Sequence, residues 1–269
     1  MTAPTFAPLP DGGRLFYEVR GEGPTILLLR PLGGSTLSWA DFATALATRA
    51  RTVAFDARGS GWSSAAPLGT TTRAMAADAV ALLDHLGITR THAYGISLGG
   101  MVATWLAIDA PSRIDRLVLA STLPRGTEVR ASAIFRGLAI ARCLARPPRE
   151  AEASMVFRIL SPGFRERHPA EVRRIQALAS ERPATHHGLL THLAAAARHD
   201  ARARLHDVRA ETLVLVGGDD PLLSVRSQRE LLKNVPRVRF EELADVGHDV
   251  SAEAPLATAE RTLAFLEAD

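Results

Sequence analysis

Tyr94-Gly95-Ile96-Ser97-Leu98-Gly99-Gly100 limits what this chain can fold into more than any other stretch. It centres a serine in Gly-x-Ser-x-Gly, between a strand-like run and a helix-like run. Thr91-His92-Ala93-Tyr94 reads as the end of a strand, and Met101-Val102-Ala103-Thr104-Trp105-Leu106-Ala107 as a helix. A reversal that sharp holds the serine in strained backbone geometry. The flanking glycines admit a helix too close to its strand for side chains. The turn lifts the hydroxyl above the sheet, and the helix N-terminus favours negative charge beside it. Ser97 is therefore read as a nucleophile, against the plainer reading of a turn serine.

Strand and helix signals alternate around this turn. Arg14–Val19 alternates with period two, whereas Thr25-Ile26-Leu27-Leu28-Leu29 is continuously apolar, as a strand covered on both faces should be. A helix is expected from Trp39 to Arg49, a strand over Thr52–Phe55, and a helix from Thr72 to Leu86 that Gly87 stops. Arg116–Ala120 is the next strand. Repeated alternation of this kind predicts an α/β chain with a mostly parallel, doubly wound sheet. From Pro124 to Val208 the strand signal vanishes. Helices are expected over Glu128–Arg146, Glu150–Leu160, Ala170–Glu181 and Thr185–His199. Thr212–Val216 then restores the sheet, followed by a helix over Ser224–Leu232, a strand over Val238–Leu243 and a helix over Pro255–Leu266. The expected organisation is a core of residues 1–123 and 209–269, with a helical cap of residues 124–208 inserted after the sixth strand.

Composition removes several classes. The chain has 269 residues, 46% of them hydrophobic, enough to bury a large core. No apolar run approaches the ~20 residues of a bilayer span. The first ten residues lack both a basic start and an apolar stretch, so no secretory leader is read there, and a cytoplasmic location is expected. Cys143 is the only cysteine, so no internal disulfide can form. The formal charge is only +3 and no basic patch is interleaved with aromatics, which argues against nucleic-acid binding. No cluster has metal-ligand spacing and no glycine-rich stretch matches a phosphate loop, so neither metal nor organic cofactor is expected.

A serine hydroxyl needs a base to take its proton, and the base needs an orienting acid. Both residue types follow the insertion. Val216-Gly217-Gly218-Asp219-Asp220-Pro221 leaves one strand end, where catalytic groups gather in open α/β sheets, and Val246-Gly247-His248-Asp249 leaves the next. The chain order is serine, acid, histidine. His85, His186, His187, His192 and His199 read most simply as surface or cap residues; only His248 has the required loop position.

On these motifs the chain resembles the α/β-hydrolase superfamily, near its enol-lactonase and carboxylesterase members. The resemblance spans nearly everything outside the insertion. It rests on the serine turn, on Asp56-x-Arg58-Gly59-x-Gly61-x-Ser63, on Gly217-x-x-Asp220, and on Gly247-His248 followed by Glu253-x-Pro255. The family pattern implies Asp220 as the acid, with Asp219 the alternative and Asp220 then an Asp-Pro turn starter. The Asp56–Ser63 segment reads mainly as a structural turn. The elbow offers one oxyanion donor, the N–H of Leu98. The second is expected after Leu29, where relatives usually carry His-Gly-x-Gly and this chain has Arg30-Pro31-Leu32-Gly33-Gly34. By position that donor is the N–H of Leu32. Pro31 lacks an N–H and fixes φ, so the loop must differ somewhat. Arg30 is read either as a tether for this loop or as a cation that orients substrate.

The resemblance implies a serine hydrolase that cleaves a carboxylic ester or lactone of a small, mainly apolar molecule through an acyl-enzyme. Ile134, Phe135, Leu138, Met155, Phe157, Ile159 and Leu160 give the cap an apolar face, with Phe135, Leu138 and Phe157 expected in the pocket. Two alternatives stay open: lyase, perhydrolase or intramolecular acyl-transfer chemistry on the same fold, and a non-catalytic small-molecule receptor. Oligomeric state is not readable.

Overall fold

In a computed structural model, residues 4–128 and 145–268 are described. Eight strands form one sheet: β1 (Thr5–Pro8), β2 (Arg14–Arg20), β3 (Thr25–Leu29), β4 (Arg51–Phe55), β5 (Thr91–Ile96), β6 (Ile114–Ala120), β7 (Glu211–Gly217) and β8 (Val238–Leu243). Their spatial order is β1-β2-β4-β3-β5-β6-β7-β8. β1 pairs antiparallel with β2, and β2 with β4; β3 to β8 are all parallel. The order reverses direction at β3, so the space above the C-terminal ends of β3 and β5 is a topological switch point.

The central strands are buried on both faces, and their side chains divide by parity. Leu27 and Leu29 of β3, Leu117 and Leu119 of β6, and Val214 and Val216 of β7 enter one core. That core also holds residues of α2 (Thr72–His85) and α3 (Leu98–Asp109). Ile26 and Leu28, Val118 and Ala120, and Leu213 and Leu215 enter the other. There they meet Phe42 and Leu46 of α1 (Ala40–Leu46) and Leu263 of the closing helix over Pro255–Glu267. This two-sided burial is why the strands read as continuous apolar runs. α2 begins where the Thr71 hydroxyl accepts from Ala74 N–H at 3.1 Å, and ends before Gly87, whose φ is +64°.

Between β6 and β7 lie the described cap helices: α4 (Pro148–Ile159), α5 (Pro162–Arg167), α6 (Pro169–Glu181) and α7 (His186–Arg198). Most of the helix expected over Glu128–Arg146, with Ile134, Phe135, Leu138 and Cys143, lies outside the described residues. Ser161-Pro162-Gly163 starts α5 rather than breaking the chain. Ser161 caps it by accepting from Phe164 N–H at 3.2 Å, and Pro162 sits in the first turn, where a missing N–H costs nothing. Leu160, Phe164 and Val172 form the cap's own small core, with Val156 and Ile175 against it. The core then closes with α8 (Val225–Leu232), α9 (Val250–Glu253) and α10 (Pro255–Glu267).

One charged group in α4 is out of place for a helix surface. Glu152 is 5% exposed, and its Oε2 accepts from Ala184 N–H at 3.0 Å. Burial pushes its carboxyl up to about 8, only partly countered by that hydrogen bond and by the charge of Arg30. The folded state therefore keeps Glu152 protonated while the unfolded chain ionises it. Its contribution is full below the unfolded value of 4.5 and is lost as pH rises from there to about 8. Glu152→Gln keeps the acceptor and removes the titration. Its melting temperature relative to wild type should rise by roughly 7–14 °C between pH 5 and pH 8, measured by thermal unfolding at several pH values.

Candidate active site

Ser97 sits between β5 and α3 with φ +54° and ψ −118°, a region that non-glycine residues seldom occupy. Close approach on three sides holds it there. A Cβ on Gly95 would collide with the Gly99 carbonyl, and one on Gly99 with the Leu29 carbonyl. A Cβ on Gly100 would lie 2.6 Å from Thr122 Cβ. Ser97 N–H donates to Ala120 O at 3.0 Å, and Thr122 Oγ1 donates to Ser97 O at 2.7 Å. The turn is thus tied to the end of β6 from both sides of its peptide.

Three side chains from three strand ends meet in a line. His248 Nε2 lies 2.9 Å from Ser97 Oγ, and its Nδ1 lies 2.8 Å from Asp220 Oδ2. The other Asp220 oxygen accepts from Leu222 N–H at 2.7 Å and Leu223 N–H at 2.9 Å. Asp219 is exposed, so Asp220 is the carboxylate that reaches the imidazole. Burial acts most strongly on His248 and would lower its pKa. The charge and hydrogen bond of Asp220, with smaller effects from Asp249 and Glu253, more than offset it and leave the imidazole above its ordinary value.

Neither Leu98 N–H nor Leu32 N–H has a protein acceptor among the described residues. Leu98 opens α3, whose first N–H groups have no intrahelical partner, and Leu32 lies in the loop after β3. Arg30 does not face outward from that loop. Its side chain is 6% exposed, its Nη2 donates to Asp249 Oδ2 at 3.1 Å, and its guanidinium lies 4.5 Å over the Trp39 ring. Asp249 in turn caps α9 by accepting from Ala252 N–H at 3.1 Å. Arg30 thus joins the loop after β3 to the loop that carries His248, the contact that a tether would make.

The remaining expectations divide. Phe157 is 42% exposed, with Arg165 4.7 Å over its ring. Phe135 and Leu138 lie outside the described residues. The Asp56–Ser63 segment is a structural turn. Asp56 is buried, accepts from Thr36 N–H at 2.6 Å and Trp62 N–H at 2.9 Å, and is pushed up to about 6 chiefly by burial. Arg58 reaches Asp11 at 2.6 Å and Asp78 at 2.9 Å. Two histidines read as surface or cap residues are buried instead: His192 at 1% and His199 at 3%. For His192 a signal existed, because it follows Leu189 by three residues and Gly188 by four, on one helix stripe. The cap also reaches the His248 loop directly. His248 N–H donates to Ile159 O at 2.9 Å, and both Glu253 oxygens accept from Ser161, from its N–H at 2.8 Å and its hydroxyl at 2.7 Å.

A family model described as the alpha/beta hydrolase fold matches residues 24–255. The chain belongs to the α/β hydrolase fold family. A protein of Azorhizobium caulinodans named for carbamate hydrolysis is 28% identical over 263 residues, covering 96% of this chain and 97% of its own. A 3-oxoadipate enol-lactonase of Acinetobacter baylyi is 28% identical over 246 residues, covering 90% and 89%. The crystal structure of an enol-lactonase from Burkholderia xenovorans superposes with a TM-score of 0.87 at 25% identity, covering 98% of this chain and 100% of that one. This α/β hydrolase is therefore an enzyme of the hydrolase class. Among its described residues, no helix is long and apolar enough to cross a membrane, and no group of three or more ligand-type side chains is placed to hold a metal.

Removing the Arg30 guanidinium leaves the Asp249 carboxylate buried without its cation. Arg30→Ala should cost about 3 kcal/mol of stability, while the ratio of kcat/KM between two esters of different acyl length stays within about threefold. Thermal unfolding and steady-state kinetics check this. Wild-type stability with a changed ratio would point to the substrate-orienting role instead.

Proposed function

We propose that this α/β hydrolase cleaves a carboxylic ester or lactone of a small, mainly apolar molecule through an acyl-enzyme on Ser97. The observation that carries the reading is the unbroken hydrogen-bonded line from Asp220 through His248 to Ser97, together with two N–H groups, of Leu98 and Leu32, that have no protein acceptor among the described residues. Ser97 Oγ attacks the carbonyl carbon as His248 Nε2 takes its proton. The carbonyl oxygen gains negative charge, which the N–H groups of Leu98 and Leu32 receive. Such donors are worth about 3 kcal/mol each in comparable sites. His248 then returns the proton to the leaving oxygen, and the C–O bond breaks to give the alcohol, or the ring-opened hydroxyl of a lactone. Water, deprotonated by the same nitrogen, attacks the acyl-enzyme and releases the acid. Asp220 holds the Nδ1–H tautomer throughout and stabilises the imidazolium.

The enol-lactonase relatives favour the lactone end of this class, and the carbamate-named relative favours a second reading on the same machinery. In that case the alkoxy oxygen leaves with the proton from His248, water releases a carbamic acid from the carbamoyl-enzyme, and that acid breaks down to amine and carbon dioxide. Product analysis separates the two, because ester or lactone cleavage yields acid and hydroxyl without carbon dioxide.

A fluorophosphonate probe followed by intact-mass measurement tests the nucleophile. One adduct per wild-type chain is expected, with none on Ser97→Ala. Its absence from folded wild type would remove the reading. The pH profile tests the base. His248 must be neutral to accept the proton, so kcat/KM should fall as pH drops through a pKa above 6.5. Rates that do not fall on the acid side would point to a different base.

A further inference from the structure

The loop after β3 is a tight turn with one exposed weakness. Gly34 N–H donates to Pro31 O at 3.1 Å, and Gly33 has φ +79° while Leu32 has a negative φ. That combination is a type II turn, with Leu32 and Gly33 at its two central positions. A type I turn closes with the same outer hydrogen bond and differs by a flip of the peptide between those residues. The Pro31–Gly34 bond does not choose between them. The choice falls to whatever the Leu32–Gly33 peptide itself contacts.

What it contacts is His192, from the cap. Gly33 N–H lies 3.4 Å from His192 Nδ1, and His192 Nε2 lies 2.7 Å from Arg58 O. The two partners determine the tautomer. A carbonyl only accepts, so Nε2 carries the hydrogen; an N–H only donates, so Nδ1 presents its lone pair. Burial lowers the imidazole pKa, which keeps it in this neutral form. The register of α7 that brings His192 here is set one turn earlier. Thr185 N–H donates to Gly59 O at 3.2 Å, and a Cβ on Gly59 would lie 2.7 Å from Gly188 Cα. Glu152 and Leu189 close the same spot. A Cβ on Gly33 would meet Glu152 Oε1 at 3.5 Å and Leu189 Cδ1 at 3.6 Å.

We propose that His192 is a positioning residue: its Nδ1 lone pair holds the Leu32–Gly33 peptide in the type II form and so anchors to the cap the loop that carries Leu32 N–H, the second oxyanion donor. The inference rests on the Ser97 hydrolase reading for its catalytic consequence. A loop without that anchor spends less of its time with the Leu32 donor aligned. The loss then falls on the transition state, which carries the charge, more than on substrate binding.

Three substitutions separate this role from mere space-filling. His192→Asn keeps an acceptor near the Nδ1 position, His192→Gln keeps a donor near the Nε2 position, and His192→Phe keeps only bulk. Each is compared with wild type for folding by thermal unfolding and for kcat and KM on p-nitrophenyl acetate. Hydrogen exchange of the segment over residues 30–36 is followed by mass spectrometry, and Ser97 labelling by fluorophosphonate. Gln and Phe should lose about tenfold or more in kcat with KM within about threefold, while Asn stays within about threefold of wild type in both. Exchange over residues 30–36 should quicken in Gln and Phe and not in Asn. Equal kcat in all four folded proteins, or an equal loss in all three variants, overturns the proposal. Should wild type neither label nor turn over ester, the hydrolase reading fails and the positioning role fails with it. The exchange pattern would then still report whether His192 tethers the loop. Wild-type labelling and turnover with no exchange difference between Asn and Phe overturns the His192 role alone.

Discussion

At the junction of α3 with the end of β3, Gly99 lies against the Leu29 carbonyl with no room for a single carbon. Much of the site follows from it. The helix must start at the strand end, so Ser97 takes a positive φ and its hydroxyl stands clear of the sheet. The same contact sets the N–H of Leu98 beside the loop that leaves β3, so both candidate oxyanion donors belong to one packed junction. Backbone, not side chain, therefore locates the reacting centre. That is a stiffer foundation, because interiors packed at crystal-like density do not yield by fractions of an ångström without cost.

Around this junction the loops are tied to one another rather than left to the solvent. Arg30 joins the loop after β3 to Asp249, beside His248, inside a region with too little water to screen the pair. Asp56 draws Thr36 and Trp62 onto one carboxylate, and Ser63 Oγ spans between Asp56 O, to which it donates, and Phe16 N–H, from which it accepts. The cap then lands on both arms of the site at once, on Gly33 through His192 and on His248 through Ile159. One interface, that of cap with core, therefore holds both the loop after β3 and the loop that carries His248.

Much of this was legible in the sequence because its signals are local. The apolar runs of β3, β6 and β7, the glycines around Ser97 and the caps of α2 each state their structure within a few residues. Ser97, Asp220 and His248 stood out because each follows a strand end, and these are the residues the structure joins. What escaped was long-range. Nothing near Arg30 announces Asp249, which lies 219 residues away. His192 looks like a solvated helix residue until its stripe is known to face the core. Asp219 and Asp220 differ only in how a turn points them. Phe157 shows the same limit: nothing in its own stretch states that Arg165, eight residues on, lies over its ring.

The hydrogen bond from His248 N–H to Ile159 O joins cap and core through main chain alone. No side chain takes part, so no substitution at either position, proline at His248 excepted, removes the bond's chemistry. The lid's residues are free to drift, changing the shape and polarity they present, while its attachment beside the imidazole persists. The join between lid and imidazole is thus written in a peptide group that every sequence shares, whereas the ties through His192 and Arg30 each depend on one side chain.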